Sequence, residues 1–112
     1  MNTDYLLWGL VIAFVAWRVL STIQARRRIP ALLKEGAQVV DVRSSSEFAG
    51  GHAPGSLNIP LHELDERAAD LDRERWVIVC CASGTRSAVA RRRLRRQGFE
   101  SVLNGGSWRN LP

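Results

Sequence analysis

Val77-Ile78-Val79-Cys80-Cys81-Ala82-Ser83-Gly84-Thr85-Arg86-Ser87 is the stretch whose reading decides the fold. Its first part is a β-branched apolar run, which suits a strand buried on both faces, as in a parallel sheet with helical crossovers. Its second part is a short loop, with Gly84 in the middle and Arg86 closing it, and a helical pattern follows. A loop leaving such a strand lies at the carboxyl edge of the sheet, where open α/β folds place their ligands. A thiol there becomes a nucleophile when inward-turned backbone N–H groups, a helix N-terminus or a guanidinium stabilise its thiolate. The stretch therefore reads as a buried strand, a nucleophilic-cysteine loop and the start of a helix.

On the C-terminal side, Ser87 to Gln97 is expected to be helical, with Ala90 and Leu94 spaced to face a core. Gly98 suits the left-handed position past the helix end and Phe99 can pack back on Leu94, a Schellman arrangement. Ser101-Val102-Leu103 is a last short strand before Gly105-Gly106 and Trp108. On the N-terminal side, Leu61, Leu64, Ala68 and Leu71 fall at helical spacing among charged residues and predict an amphipathic crossover helix. Before it come a short strand at Leu57-Asn58-Ile59, turn chemistry at Gly50 to Gly55, and a capping box at Ser44-x-x-Glu47. Val39-Val40-Asp41-Val42 is the first strand, preceded by a short helix from Ile29 to Glu35 with Pro30 in its first turn. Strands alternating with helical patterns at this spacing predict a small parallel α/β sheet with helices on both faces.

A different kind of segment comes first. Tyr5 to Trp17 contains no charged residue, and with Arg18 allowed the apolar stretch continues to Ile23. At ~1.5 Å per residue that longer stretch makes roughly 28 Å of helix, close to a bilayer's hydrocarbon thickness. Trp17, Tyr5 and Trp8 suit the two interfaces, and Arg18 can snorkel towards headgroups. A cleaved signal peptide would want a basic front end, whereas Asp4 precedes the run and the arginines follow it. A buried core helix is the other alternative. The reading adopted is one N-terminal transmembrane helix: residues 1–28 as anchor and basic juxtamembrane segment, 29–112 as the soluble domain. Arg18, Arg26, Arg27 and Arg28 all flank its C-terminal side, so the positive-inside rule places the N-terminus outside and the domain in the cytoplasm.

The totals agree with that placement. The 112 residues allow one small domain and an appendage, and the two cysteines are adjacent, so they cannot staple distant segments. Thiol chemistry in a reducing compartment follows, not a disulfide scaffold. The net charge of +5 is carried almost wholly by arginine. No aromatic platform is interleaved with it, which argues against nucleic acid. Arg91-Arg92-Arg93 and Arg95-Arg96 read as a solvated helix face or, with Arg26 to Arg28, as contacts to anionic headgroups. Zinc binding by Cys80, Cys81, His52 and His62 lacks any ligand-pair spacing, and His62 reads as an exposed helix-start residue. No metal and no cofactor is expected.

From Ile29 onward the chain resembles the rhodanese family, the sulfurtransferases that pass sulfane sulfur through a cysteine persulfide. The markers stand in order: Asp41-Val42-Arg43, Glu47-Phe48, Gly51-His52-Ala53-Pro54-Gly55-Ser56-Leu57-Asn58-Ile59-Pro60, Cys81-Ala82-Ser83-Gly84-Thr85-Arg86-Ser87 and Gly105-Gly106-x-Trp108. The resemblance implies that Cys81 is the nucleophile that becomes the persulfide. It also implies that the backbone N–H groups of Ala82, Ser83, Gly84, Thr85 and Arg86 cradle its sulfur, with Arg86 closing the loop. Asp41, Arg43, Glu47 and His52 would then hold the sheet edge and neighbouring loops. The implied partners are a small anionic donor such as thiosulfate and a thiol, protein or cyanide acceptor.

Two alternatives stay open on the sequence. Counted from Cys80, Arg86 closes a Cys-x5-Arg loop of the length used by cysteine phosphatases that share this fold. Counted from Cys81, the loop is one residue shorter and matches the sulfurtransferases. Cys80 is then a packed strand-end thiol or a resolving thiol. A non-catalytic tether or sulfur-relay module is the third reading.

Overall fold

The computed structural model describes residues 3–112. Four strands form one parallel sheet in the order β2 (Leu57–Asn58), β1 (Gln38–Asp41), β3 (Val77–Cys81), β4 (Val102–Ser107). The predicted parallel α/β sheet is present. All five residues of β3 are buried, as its unbroken apolar run requires of a strand covered on both faces.

Side chains alternate across a strand, so the two faces of β3 enter two separate cores. On one face Val77, Val79 and Cys81 pack with Val40, Leu64, Ala90, Leu94 and Phe99. On the other, Ile78 and Cys80 pack with Ile29, Leu32, Leu103 and Leu111. The first face is covered by α4 (Thr85–Arg96) and by the segment from Leu61 to Leu71. The second is covered by the end of the long N-terminal helix α1 (Thr3–Lys34) and by the 3-10 turn Trp108–Asn110. Helix α2 (Ser45–Ala49) opens on the expected capping box. Ser44 accepts from the Glu47 N–H, and the Glu47 carboxylate accepts from the Ser44 N–H. Helix α4 ends as its sequence predicts, with Phe99 N–H returning to Leu94 O at 3.1 Å.

Three elements differ from the sequence expectation, the first being the last strand, expected over Ser101 to Leu103, which instead runs from Val102 through both glycines to Ser107. The crossover from Leu61 to Asp70 is not one helix but a 3-10 turn (Leu61–Glu63), a short α3 (Leu64–Arg67) and another 3-10 turn (Ala68–Asp70). Leu64, Ala68 and Leu71 still reach the core, because spacings of three and four residues serve either helix type. The separate helix expected from Ile29 is instead the continuation of α1, which runs through Pro30 without ending. Proline removes one intrahelical hydrogen bond, but residues 26 and 30 lie on the exposed side, where the freed carbonyl is open to solvent. Ile29 and Leu32 lock the turn beyond it against the sheet, and the Arg28 guanidinium lies 4.9 Å over the Trp76 ring.

The N-terminal part of α1 is long and apolar enough to cross a membrane, and none of that stretch is buried inside the protein. Tyr5, Trp8, Phe14 and Trp17 are all largely exposed. Helix α1 therefore projects from the sheet and gives the molecule its 57 Å long axis.

Candidate active site

Strand β3 ends at Cys81, and the chain turns through Ala82-Ser83-Gly84 into α4. The Gly84 N–H points at the Cys81 sulfur, with N and Sγ 2.9 Å apart. Gly84 has φ of +101°, a conformation L side chains rarely adopt, and a Cβ there would meet Gly106 Cα at 3.3 Å. The loop thus needs glycine both for its turn and for its closeness to β4.

Strand β4 fixes the loop from below. Its register against β3 slips between Val79 and Cys80, so Gly105 is bulged out of the pairing. A Cβ at Gly105 would lie 2.9 Å from Ile78 Cγ2, so only glycine allows this approach. The bulge presents the Asn104 amide to the loop. Asn104 Nδ2 donates to Gly84 O at 3.1 Å, and its Oδ1 accepts from the Gly106 N–H at 3.0 Å and the Ser87 hydroxyl at 2.6 Å. Ser87 Oγ is also 3.4 Å from Cys81 Sγ. A hydroxyl carries one hydrogen. Pointed at Asn104 it lets the Cys81 thiol donate to Ser87, and turned to sulfur it holds the thiolate.

The electrostatic outcome is a Cys81 thiol below its ordinary range. Burial alone would raise it, but this is outweighed by the Ser87 hydroxyl and by the backbone N–H groups of Ser87, Gly84 and Ser83. The cradle expected from residues 82–86 is thus centred on Ser83 and Gly84 and extended by Ser87, in the first turn of α4. Ala82 and Thr85 are exposed members of the same loop. The Ser87 and Asn104 contributions escaped the sequence reading. Ser87 was visible as a loop-end residue, while Asn104 carried no signal beyond preceding Gly105-Gly106.

Arg86 is half-exposed, and its guanidinium forms a two-pronged pair with Glu47, Nη1 to Oε1 at 2.7 Å and Nη2 to Oε2 at 3.0 Å. Arg86 therefore joins the loop to α2. The Arg86 hydrogen bond, followed by the Ser44 backbone and hydroxyl, pulls the Glu47 carboxyl down to about 2.

Cys80 has the opposite surroundings. Its side chain enters the core on the other face, and burial first, then the Asp41 carboxylate, pushes its thiol up to about 12. Beside it, Asp41 and Arg43 form a buried ion pair with Nη2 to Oδ2 at 2.7 Å. Arg43 also donates to Gly51 O at 2.7 Å and lies 4.7 Å over the Trp108 ring. His52 stacks on Phe48 with ring centroids 3.7 Å apart, and its Nδ1 is 2.8 Å from Phe48 O. Asp41, Arg43 and His52 thus brace the loops, while Glu47 sits nearer the site than its sequence role implied.

These placements correct the phosphatase reading that begins at Cys80. That sulfur lies across the sheet from the amides of the loop and is held protonated, so a Cys80–Arg86 ring does not form. The same alternation removes Cys80 as a resolving thiol for Cys81 and prevents the two from chelating one metal. Among the described residues no group of three or more metal-ligating side chains occurs.

Comparison with known proteins agrees with the fold. The Rhodanese-like domain family profile matches residues 27–108. A thiosulfate sulfurtransferase, GlpE, of Pseudomonas aeruginosa is 36% identical over 91 residues, covering 78% of this chain and 83% of that protein. A putative sulfur carrier protein, YrkF, of Bacillus subtilis is 39% identical over 70 residues, covering 62% of this chain but only 38% of that protein. Among solved structures, a rhodanese with anions from E. coli superposes with a TM-score of 0.64 at 32% identity, covering 68% of this chain and 94% of that one. A human single-domain sulfurtransferase superposes with a TM-score of 0.66 at 30% identity, covering 75% and 88%.

Proposed function

The chain belongs to the rhodanese-like domain family, and from that premise we propose that it is a membrane-anchored, cytoplasm-facing sulfurtransferase working through a Cys81 persulfide. The observation that carries this reading is the Gly84 N–H aimed at the Cys81 sulfur at 2.9 Å, with the Ser83 and Ser87 amides and the Ser87 hydroxyl beside it. Such donors favour the thiolate, which is the attacking species.

The Cys81 thiolate attacks the outer sulfur of a small anionic donor such as thiosulfate. A new S–S bond forms, the donor's own S–S bond breaks, and sulfite departs with the bonding electron pair. The persulfide left on Cys81 carries a terminal sulfur anion, which the loop amides would hold as they held the thiolate. A thiol or cyanide then attacks that terminal sulfur, and Cys81 leaves as thiolate. No cofactor enters. Arg86 adds positive charge at the loop for an anionic donor while its pair with Glu47 fixes where that charge stands.

Residues 1–28 would serve as anchor and basic juxtamembrane segment and 29–112 as the catalytic domain, although the division falls inside one continuous helix. The uncharged run Tyr5 to Trp17, with arginines only after it, supports the anchor and the N-out orientation.

Intact-mass measurement of the full chain in detergent, after thiosulfate treatment, tests the chemistry. One added sulfur is expected on wild type and on Cys80→Ala, and none on Cys81→Ser. Alanine is chosen at 80 because a serine hydroxyl would be buried there without a partner. Survival of the added mass in Cys81→Ser would sink the proposal. Persulfide formation without turnover on cyanide or small thiols would move the assignment to a sulfur relay.

A further inference from the structure

We propose that the groove between α1 and the start of α4 binds the headgroup phosphate of an anionic phospholipid through Arg18, Arg91 and Arg92. The proposal rests on the anchor reading and adds a lipid site formed jointly by the helix and the catalytic domain.

Topology comes first. The four strands are parallel, so their carboxyl ends share one edge. Helix α1 joins β1 through a tight turn and packs back across the sheet, so it runs against the strands. Arg28 of α1 meets Trp76 at the amino end of β3, whereas Trp17 to Ala25 stand beside Ser83, Gly84 and Gly106 at the carboxyl end. The edge that carries the active loop therefore faces back along α1, towards its apolar half.

The groove at that edge encloses about 650 Å³. Its walls are Trp17, Arg18, Ser21 and Thr22 on one side and Arg91 and Arg92 on the other, with the loop at Ser83 to Thr85 as its floor. Three guanidiniums and four hydroxyl side chains thus line a space rimmed by an interfacial tryptophan. None of these arginines joins any of the ion pairs formed among the described residues. Arg91 is further pressed by burial and by the like charges of Arg95 and Arg28. An anion would relieve that crowding.

Membrane geometry supplies the anion. The uncharged run of α1 ends at Trp17, and Arg18 after it can snorkel towards the headgroups. What flanks Trp17 here is the groove itself. Lipid phosphates thus arrive at the level of Arg18, Arg91 and Arg92, where each basic side chain adds favourable attraction.

Native mass spectrometry of the full chain in detergent, with phosphatidylglycerol or phosphatidylcholine added, reads the site. Wild type should retain phosphatidylglycerol in preference to phosphatidylcholine. Retention should fall about thirtyfold in Arg91→Ala/Arg92→Ala and about fivefold in Arg18→Ala. It should hold in Arg95→Ala/Arg96→Ala, which removes equal charge from the same helix outside the groove. Inorganic phosphate at millimolar concentration should not displace the lipid; displacement would make the groove a site for free anions and overturn the lipid assignment. Carbonate extraction of membranes separates the premises. A chain that resists extraction but binds phosphatidylglycerol equally with and without Arg91 and Arg92 overturns the groove alone. A chain released by carbonate overturns the anchor and the lipid site together.

Discussion

Cys80 and Cys81 are neighbours in sequence and differ in exposure by almost nothing, at 0% and 1%, yet they occupy opposite chemical environments. Strand alternation sends one sulfur to each face of β3. On the Cys80 side the nearest charged groups are locked together in the buried Asp41–Arg43 pair, and the thiol is pushed up to about 12. On the Cys81 side backbone N–H groups and a hydroxyl converge on the sulfur, and the thiol is lowered although it is also buried. Burial alone therefore does not set the acidity of a thiol. What decides is whether donors are already in place when solvent is removed.

The largest expected effect separates the two thiols directly. Iodoacetamide at neutral pH should label Cys81 at least about 10³-fold faster than Cys80, because only the thiolate attacks and Cys80 is held protonated in the core. Peptide mapping after timed labelling of the full chain in detergent gives the two rates. Reagent reaches Cys81 by a small movement of the exposed Ala82-Ser83 segment, whereas reaching Cys80 requires parting α1 from the sheet. Labelling of both at similar rates would break the contrast.

A second test sharpens it by removing one donor. Ser87→Ala deletes the hydroxyl near the sulfur and its bond to Asn104 Oδ1. The Cys81 thiol is held below its ordinary range in part by that hydroxyl, so its loss moves the inflection of labelling rate against pH upward. Below the inflection the variant should react about tenfold more slowly, the size expected of one hydrogen bond to a charged group. Well above it, the two proteins should react alike. Equal slowing at every pH would mean that the loop had moved rather than that its field had weakened.

The two sides were not equally legible in the sequence. Val77 to Val79 announced a doubly buried strand, Ser44 and Glu47 announced a cap, and Leu94-Gly98-Phe99 announced a helix end, because each signal is local. Cys81 was also readable, since Gly84 and the following helix start lie within a few residues. The contribution of Asn104 depends on a bulge at Gly105, set by cross-strand register, which no local pattern encodes. Arg86 was expected to close the loop, but its guanidinium pairs with Glu47 thirty-nine positions away. The crossover from Leu61 kept its buried positions and lost its continuous helix, because burial spacing does not choose between α and 3-10 turns over so few residues.

The smallest expected effect bears on that Arg86 pair. Glu47→Gln keeps the cap, because an amide oxygen still accepts from the Ser44 N–H, and removes the charge and one of the two acceptors opposite Arg86. The Glu47 carboxyl is lowered from 4.5 to about 2, so its contribution to stability is complete above 4.5 and is lost as pH falls towards 2. The melting temperature of Glu47→Gln should thus lie slightly below wild type at neutral pH. The gap should shrink through that acid window, and shrink also in 1 M salt, because both partners are substantially exposed to solvent. The same variant asks which groups govern the Cys81 sulfur. With the amides and Ser87 in charge, releasing Arg86 from Glu47 leaves the labelling inflection where it was. A downward move would show the freed guanidinium turning onto the sulfur, and the contrast between the two faces of β3 would then owe as much to a mobile charge as to fixed backbone donors.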